Sequence, residues 1–476
     1  IYTLSLHDAL PIYIIVYGDF DADGVTSAAL LYLTLKRVGA DVDCYIPDRA
    51  TESHGLNTKA LVQLISKKKS RLIITVDCGI SNKTEVSFAN GFNTDVIITD
   101  HHEAPEELPS AYAILNPKAQ NSLSSELSVE ELKSLNNLAG VGVAFKLACK
   151  LLEIYSCEDY VNEILPLAAI GTIGDVVDLI GENRTIVAMG LELIHSGRHK
   201  GIQSVLTAAG YNDVRKITSE NIAFCVVPRL NAAGRLESPY TAFNVLVSAE
   251  DEVIVENVKK LDDLNSLRQE LCESTYSQAC KMYEEDKFSN KNGIVLYNSQ
   301  WHIGVIGIVA SKLVENYNKP VFLMTSDTND ENIIRCSSRS ISQVNIYELL
   351  SLHKDLYEGF GGHKMAAGFA FKKTNITFDK FKKLLNESIA DYIRDIDISK
   401  CYINADMEVE PEDIDINTIK SINKLQPFGA GNPLPVFVMK NLEISDFKFM
   451  GQNSNHLKIY AVKNGNYSIE SVKWNC

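Results

Sequence analysis

The sequence predicts an α/β protein with a parallel β-sheet, a long connecting helix, a second α/β domain and a small C-terminal β barrel. Apolar runs of strand length, among them 72–76 and 95–99, alternate with helical segments near the N-terminus, and this alternation is typical of a parallel sheet with right-handed crossovers. A long charged helix is predicted over 253–287. From residue 402 onward, short alternating strands separated by Gly, Asn and Pro indicate the barrel.

The first predicted strand, 12–16, leads into a stretch of alternating aspartates, Asp19, Asp21 and Asp23. We interpret this stretch as extended, so that its alternate side chains point to one side. Carboxylates that lie so close together are costly unless a cation or a proton neutralises them. The stretch therefore predicts a bound divalent metal ion. A helix is predicted to follow over 25–38.

Two other interpretations of the aspartate stretch are weaker. Asp-x-Asp-x-Asp-Gly also opens the calcium loop of an EF-hand, but the twelfth position holds Leu30 instead of Glu, and the preceding segment is strand-like. Simple capping of the following helix would explain one or two of the acids. It would not explain why further acids and histidines follow the other predicted strands.

Further metal-binding side chains follow the next strands of the predicted sheet. Asp77 directly follows one strand, Asp100, His101 and His102 follow another, and Asp175 ends an apolar helix rich in small residues. Ligand sites of such sheets lie beyond the carboxyl ends of the strands. Carboxylates with one or two imidazoles suit Mn²⁺ or Mg²⁺, and this many ligands predict two ions. Paired ions activate water for phosphoester hydrolysis, which is the chemistry predicted here.

The remaining elements complete a four-part organisation. Strands are predicted at 41–46, 293–297 and 321–325, helices at 57–67, 138–152 and 305–317, and a polar surface insertion at 121–135. The predicted domains are 12–250, 251–287 as the connecting helix, 288–398 and 399–476. Residues 1–11 fit no pattern that follows and are left out of this prediction. Because the chain has no initiator Met and ends abruptly at Cys476, we expect a fragment.

Composition excludes several classes of protein. The net charge of −15 argues against wholesale non-specific coating of DNA, although acidic metal ligands count as negative until metals bind. The ten cysteines form no C-x-x-C pair, so a structural zinc site is not expected, and their dispersal indicates reduced thiols in a cytoplasmic protein. No run of 18 apolar residues occurs, so no membrane association is expected.

Several longer motifs resemble the DHH phosphoesterase superfamily. Asp100-His101-His102 and the aspartate stretch carry the resemblance first. Nearly the whole chain from Ile12 is similar to the long members of that superfamily that degrade single-stranded DNA from the 5′ end. The motifs that carry this similarity lie, in order, at 138–144 (LAGVGVA), 228–235 (PRLNAAGR), 301–307 (WHIGVIG), 361–368 (GGHKMAAG) and 427–433 (PFGAGNP).

The resemblance implies roles for the acidic and histidine residues. The metal ligands that the resemblance implies are Asp21, Asp23, Asp77, His101 and Asp175, and Asp19 is expected to be a weaker, supporting ligand. His102 is expected near the scissile phosphate, and Asp100, which is expected in a supporting role, is grouped with His102 as catalytic.

The resemblance also implies a set of substrate-binding residues. Arg49 matches an arginine that holds the 5′-phosphate, a role that the planar guanidinium suits. His54 stands where the family often has Tyr, so stacking on the terminal base is expected to be weaker. A phosphate track is expected from close backbone approach at a glycine turn; its residues are Gly361, Gly362, His363, Ser338 and Arg339. Arg229 and Arg235 are expected to contribute cations between the domains, and Asn231 of the same motif is grouped with them as substrate-binding. Trp301 is interpreted as a core residue and not as a stacking platform.

The function implied is a metal-dependent, single-strand-specific 5′→3′ exonuclease that releases 5′-mononucleotides in DNA repair and recombination. The C-terminal barrel, predicted as incomplete, resembles an OB-fold that would track the DNA backbone. One alternative is a related phosphodiesterase that cleaves short oligonucleotides or cyclic dinucleotides; another is a non-catalytic replication scaffold. Two Mn²⁺ or Mg²⁺ ions are the expected cofactors. The resemblance suggests single-stranded DNA, a helicase and a single-strand-binding protein as partners of a monomer.

Overall fold

The computed structural model describes residues 12–49, 52, 54–119, 128–286, 291–327, 330–394, 404–451, 454, 456–463, 465 and 467–474. Residues 1–11, which were not assigned to any predicted element, lie outside this range. The chain divides into two compact units, Ile1–Lys400 and Cys401–Cys476.

A parallel sheet forms the first half of the larger unit. Within the described residues it has five strands in the order β2-β1-β3-β4-β5. Their bounds are β1 Ile14–Tyr17, β2 Val42–Tyr45, β3 Leu72–Val76, β4 Asp95–Thr99 and β5 Ala113–Leu115. The predicted strands at 72–76 and 95–99 are confirmed at their predicted bounds. All the strand pairings are parallel, so the carboxyl ends of the strands meet at one edge.

Helices cover both faces of this sheet. They are α1 Ala22–Arg37, α2 Thr58–Ser66, α3 Lys83–Gly91, α4 Val129–Asn136, α5 Gly140–Ile154, α6 Val161–Gly174, α7 Gly181–His195, α8 Lys200–Ala208, α9 Ser219–Asn221, α10 Val227–Leu236 and α11 Tyr240–Val247. Each face of the sheet has its own hydrophobic core, and alternate residues of β1 contribute to each. Val16 packs with α1, α5 and α6 on one face, whereas Ile15 and Tyr17 pack with α2 and α3 on the other. Burial on both faces explains why the strands read as continuous apolar runs.

The polar segment predicted as an insertion contains a helix instead. Residues 120–127 lie outside the described residues, but Val129–Asn136 forms α4. Ser128 accepts a hydrogen bond from the Glu131 backbone N–H, and the Glu131 side chain accepts one from the Ser128 N–H. This capping box begins the helix, and its Ser-x-x-Glu pattern was present in the sequence. The helix buries none of its side chains, so the expected surface position is confirmed.

The long helix α12, Asp251–Glu285, leads to a second sheet. In the described chain this sheet has five strands in the order β6-β7-β8-β10-β9. Its elements are β6 Ile294–Tyr297, α13 Ile303–Tyr317, β7 Val321–Ser326, β8 Ile333–Arg339, α14 Ile346–Ser351, β9 Gly359–Gly362, β10 Ala366–Lys372 and α15 Phe378–Tyr392. Trp301 is buried, and its indole N–H donates to the Gln278 side chain, so the expected core position is confirmed.

The smaller unit holds short strands and one helix that the sequence did not predict. Strands β11 Met407–Glu408 and β12 Phe437–Val438 pair, and β13 Glu443–Met450, β14 His456–Lys463 and β15 Tyr467–Lys473 form an antiparallel sheet. The described strands do not close into a barrel. The unpredicted helix is α16, Ile416–Asn423, which Asp415 caps by accepting a hydrogen bond from the Thr418 N–H. No described helix of either unit has the length and apolar character needed to cross a membrane.

The packing of α6 predicts a sharp response to one added methyl group. A Cβ atom on Gly171 would lie 2.2 Å from Thr26 Oγ1 of α1 and 2.8 Å from Val141 Cγ1 of α5. We expect Gly171→Ala to destabilise the protein by about 1–3 kcal/mol through overpacking, seen as a lower midpoint in thermal unfolding. Gly91→Ala is the control, because no described atom lies within 4 Å of its added Cβ. Equal midpoints for the two variants would contradict this packing.

Candidate metal centre

The turn between β1 and α1 does not have the extended shape that the sequence predicted. Helix α1 begins at Ala22, three residues earlier than expected, so Asp21 is its N-cap and Asp23 lies in its first turn. The Asp21 side chain accepts a hydrogen bond from the Gly24 N–H at 3.0 Å. Asp21 and Asp23 therefore lie at a helix N-terminus, which favours carboxylates, and the predicted strand-like alternation is wrong.

Asp77 directly follows β3 and has an unusual backbone conformation. Its φ of +58° lies in the left-handed region, which Asp tolerates better than most residues. The side chain is buried, and its Oδ1 lies 3.2 Å from Nε2 of His101, although the two atoms are not aligned for a hydrogen bond. The other ring nitrogen of His101, Nδ1, lies 3.5 Å from Asp175 Oδ2. The His101 ring thus stands between carboxylates from β3 and from the end of α6.

Groups of three side chains lie close enough to hold ions. In each group one ligand atom per residue lies within 4.8 Å of the others; the groups found among the described residues are Asp19 with Asp21 and Asp77, Asp23 with His101 and Asp175, and Asp77 with His101 and His102. Asp77 and His101 are shared between groups. A carboxylate that belongs to two groups, as Asp77 does, could bridge two neighbouring divalent ions, whereas a neutral imidazole binds one ion.

The carboxylates of this cluster have the properties expected of cation ligands. Buried oxygens of Asp19, Asp77 and Asp175 have no hydrogen-bond partner within the described part of the chain. Burial, and then the charges of the neighbouring carboxylates, raises the pKa of Asp77 well above its usual value, and burial likewise raises the pKa of Asp21, Asp23 and Asp175. Oxygen donors with an imidazole match Mn²⁺ or Mg²⁺. The donor set therefore fits divalent metal ions.

The N-terminus of α5 fixes one carboxylate of the cluster through backbone hydrogen bonds. Asp23 accepts hydrogen bonds from the backbone N–H groups of Gly140 at 2.7 Å and Val141 at 2.8 Å. A Cβ atom on Gly140 would lie 2.4 Å from Asp77 Oδ1, so only glycine allows this approach. These contacts give a structural reason for the sequence LAGVGVA, which had been singled out only by resemblance.

Asp100 positions its neighbours and lies outside the groups that could hold an ion. Its Oδ1 accepts hydrogen bonds from the backbone N–H groups of His101 and His102, and lies 2.8 Å from Nδ1 of His102. Its Oδ2 accepts a hydrogen bond from the Ile80 N–H. Burial alone would raise the pKa of Asp100, but the hydrogen bond and charge of His102 outweigh burial and lower it. Asp100 thus fixes the His102 ring, whose side chain is 35% exposed and faces the cluster.

A cationic region adjoins the aspartates. His54 Nδ1 lies 2.9 Å from Asp19 Oδ2, and this hydrogen bond raises the pKa of His54 to about 9. The guanidinium of Arg49 lies 5.1 Å from the centre of the Phe20 ring. Burial and then the charge of Arg49 lower the pKa of Arg235 to about 10. Arg235 donates to the Gly304 carbonyl oxygen, which ties α10 to α13 of the second sheet.

A groove of about 890 Å³ connects this region to the second sheet. Arg49 and His54 line it from the half of the unit that holds the first sheet, and Arg339, Gly361 and Gly362 line it from the second sheet. Gly361 and Gly362 belong to strand β9, so the predicted glycine turn is wrong. Gly362 has a φ of +140°, and a Cβ there would lie 2.4 Å from the Ala366 carbonyl oxygen. Glycine is required there for the hairpin between β9 and β10.

Some residues predicted to bind substrate have other contacts. Arg229 pairs with Asp262 of α12 at 2.7 Å and lies away from the groove. Asn231 accepts a hydrogen bond from the Ala22 N–H, so it caps α1. Ser338 is fully buried and donates to the Ala367 carbonyl oxygen. His363 is exposed and does not line the groove.

Ser337 lines the groove instead of Ser338, and sequence reasoning missed it. Strand alternation places Ser337 on the same face as Arg339, and this alternation was the signal in the sequence that could have identified it. Phe20 was also missed: it lines the groove beside Arg49, between two of the predicted metal ligands in the sequence.

Comparisons with known proteins agree with this organisation. Residues 13–172 match the DHH family N-terminal domain, 290–391 the DHHA1 domain and 405–476 the RecJ OB domain. The chain is 37% identical to the single-stranded-DNA-specific exonuclease RecJ of Bacillus subtilis and 35% identical to that of Haemophilus influenzae, over 97% of this chain in both cases. It spans 56% of the first relative and 80% of the second.

Solved structures show the same similarity. The crystal structure of RecJ from Thermus thermophilus in complex with Mn²⁺ superposes with a TM-score of 0.78 at 29% identity, covering 98% of this chain and 64% of that one. A second structure, exonuclease RecJ bound to manganese, superposes with a TM-score of 0.68 at 32% identity, covering 82% and 94% of the two chains. A structure of the Thermus protein with Mg²⁺ is also similar, with a TM-score of 0.72.

The burial of Asp77 predicts opposite effects of one substitution on the metal-free and metal-loaded protein. The pKa of Asp77 is higher in the folded, metal-free protein than in the unfolded chain, where it is about 4. Asp77 therefore lowers the stability of the metal-free protein progressively as the pH rises from about 4 to the raised folded pKa. We therefore expect Asp77→Asn to raise the unfolding midpoint in EDTA at pH 8, with a smaller gain at pH 5. The stabilisation that we expect added Mn²⁺ to give the parent protein should be largely lost in this variant.

The control for this thermal-shift measurement is Asp95→Asn, because Asp95 is exposed at the start of β4. It should behave like the parent protein in EDTA and in Mn²⁺. An undiminished Mn²⁺ shift in Asp77→Asn would remove Asp77 from the metal centre.

Proposed function

The chain belongs to the RecJ family, and from this membership we propose that it is a metal-dependent exonuclease that degrades single-stranded DNA from the 5′ end and releases 5′-mononucleotides. The observation that carries the proposal is the position of the arginine-lined groove directly beside the carboxylate and histidine cluster. The carboxylate and histidine cluster is suited to hydrolysing a phosphodiester, and the groove is suited to holding a phosphate. The expected role is in DNA repair and recombination in the cytoplasm.

The cluster residues would hold the two ions. We assign Asp19, Asp21 and Asp77 to one ion and Asp23, His101 and Asp175 to the other; these are two of the three donor groups. Bound Mn²⁺ or Mg²⁺ would supply an activated water and would neutralise charge on the scissile phosphate. His102, held by Asp100, faces the same space and would lie beside the scissile phosphate.

The arginines explain why a terminal phosphate would bind. Burial lowers the pKa of Arg49, Arg235 and Arg339, and the charge of Arg49 lowers those of Arg235 and Arg339 further. Cations held together in this way repel one another, and a phosphate dianion relieves the repulsion. Charge-assisted hydrogen bonds from guanidinium groups also give the geometry of binding. A strand anchored there would present its next phosphodiester to the cluster, which accounts for 5′→3′ polarity.

The remaining assignments stand as parts of the same proposal. We place the DHH domain at 12–250, the connecting helix at 251–287, the substrate-binding domain at 288–398 and the OB-like domain at 399–476. A monomer that works with a helicase and a single-strand-binding protein is the expected assembly.

The first test is digestion of a 5′-phosphorylated single strand in Mn²⁺. The parent protein should release 5′-mononucleotides, and Asp77→Ala should lose at least about 100-fold in rate, since a lost metal ligand removes the activated water. Equal rates for the two proteins would overturn the catalytic assignment. Much faster cleavage of dinucleotides than of long strands would favour the small-substrate alternative.

The second test separates phosphate binding from catalysis. Arg339→Ala should raise KM for a 5′-phosphorylated strand by about 10–100-fold, since a hydrogen bond to a charged group contributes roughly 1.5–3 kcal/mol. The effect on a 5′-hydroxyl strand should be much smaller. Arg215→Ala is the control, because Arg215 is 79% exposed and pairs with Asp213 on the surface. Equal losses on both strands would show that Arg339 does not recognise the phosphate.

A further inference from the structure

The groove does not end at the arginines beside the metal centre. Its lining continues along β8 past Arg339 and Ser337 to Arg335, and reaches Asp327 and Ser326 at the end of β7. The Cα atoms of Arg339 and Arg335 are four strand residues apart, which corresponds to about 13 Å. A single terminal phosphate at Arg49 and Arg339 would leave this length unused.

The floor of the extension is a face of the second sheet that carries small side chains. Burial alternates along β8 and β10, and the residues buried in the core leave their neighbours on the groove face. The register places Arg335 opposite Ala370, and Ala370 opposite Gly359. A Cβ atom on Gly359 would have no described atom within 4 Å, and one on Gly368 would meet only the Cys336 carbonyl oxygen, at 3.3 Å. The floor is therefore flat and open.

The charges change along the groove. The end near the metal centre is cationic, with Arg49, Arg235 and Arg339 acting on one another. At the far end Arg335, half exposed, forms an ion pair with the nearly buried Asp327. Glu358 also lines this end and pairs with Lys372 at 3.0 Å. Balanced charges and a small-residue floor suit an uncharged polar group better than additional phosphates.

We propose that the far end of the groove, from Ser337 to Arg335 over Gly359 and Ala370, binds a nucleoside joined to the 5′-phosphate of the strand through a pyrophosphate. The enzyme would then accept strands with a 5′-adenylylated end. The terminal phosphate binds at Arg49 and Arg339, the second phosphate lies near the Ser337 hydroxyl, and the nucleoside lies on the flat floor beside Arg335. The inference rests on the proposed exonuclease function and extends its substrate class.

The reaction on such a strand is the same hydrolysis. Water adds to the phosphorus of the first internucleotide phosphodiester, and the bond from phosphorus to the 3′ oxygen breaks. The 3′ oxygen is the leaving group; it stays on the capped nucleotide and takes up a proton. The released product is therefore a nucleoside joined by pyrophosphate to one deoxynucleoside with a free 3′-hydroxyl. The shortened strand keeps the phosphate as an ordinary 5′-phosphate end. The pyrophosphate stays intact, and no other reactant is needed.

The test compares three single strands of one sequence that carry a 5′-phosphate, a 5′-adenylyl group or a 5′-triphosphate. The substitution is Ala370→Leu, which fills the floor opposite Arg335, and the matched control is Ala370→Ser, which keeps it open. Initial rates are measured in Mn²⁺, and mass spectrometry identifies the first product. The parent protein and Ala370→Ser should degrade the adenylylated strand within about tenfold of the phosphorylated strand and release the capped nucleotide.

Ala370→Leu should lose at least tenfold on the adenylylated strand and keep its rate on the phosphorylated strand, which also shows that it is folded. The inference is overturned if the parent protein does not degrade the adenylylated strand, if Ala370→Leu degrades it undiminished, or if the triphosphate strand is clearly preferred to it. Failure on the phosphorylated strand as well would count against the proposed exonuclease function, so the two failures are distinguishable.

Discussion

The buried cluster of carboxylates is the constraint on which the structure of the larger unit depends. Asp23 and Asp77 are almost completely buried, and each is raised in pKa by burial and by the other acids. Charges of one sign at this depth are tolerated only with a compensating cation or with protons. The fold brings them together from separate elements, namely the β1–α1 turn, the end of β3 and the end of α6. This arrangement favours metal binding at the expense of the stability of the metal-free protein.

Helix ends and backbone groups hold the cluster in place. The N-terminus of α5 donates two hydrogen bonds to Asp23, and the N-terminus of α1 carries Asp21 and is itself capped by Asn231 from α10. Asp100 uses both of its oxygens to fix the loop that presents His101 and His102. Residues outside the groups that could hold an ion thus determine where the side chains of those groups lie, as is common around metal sites.

The packing of the second sheet against the first half of the larger unit determines where the groove arginines lie. Arg235 reaches the Gly304 carbonyl oxygen, and a Cβ on Gly304 would lie 2.4 Å from the Arg235 carbonyl oxygen, so α10 and α13 approach closely. This contact sets Arg339 beside Arg49 and makes one groove from residues almost 300 positions apart in the chain. The cationic part of the groove therefore exists only because the two halves of the larger unit pack together.

The sequence by itself determined the parallel sheet, the bounds of β3 and β4, and the identity of the acids and histidines, because strand runs and the residues that follow them are local patterns. It did not determine that the aspartate stretch is a helix N-terminus, since Asp21 and Asp23 can alternate on a strand or cap a helix. Tertiary structure decided that Asp100 orients His102, that Ser337 and not Ser338 faces the groove, and that Arg229 pairs with Asp262. These roles depend on which distant element lies opposite each side chain. Strand alternation puts Ser337 and Arg339 on one face of β8, but only the packing decides which face lines the groove.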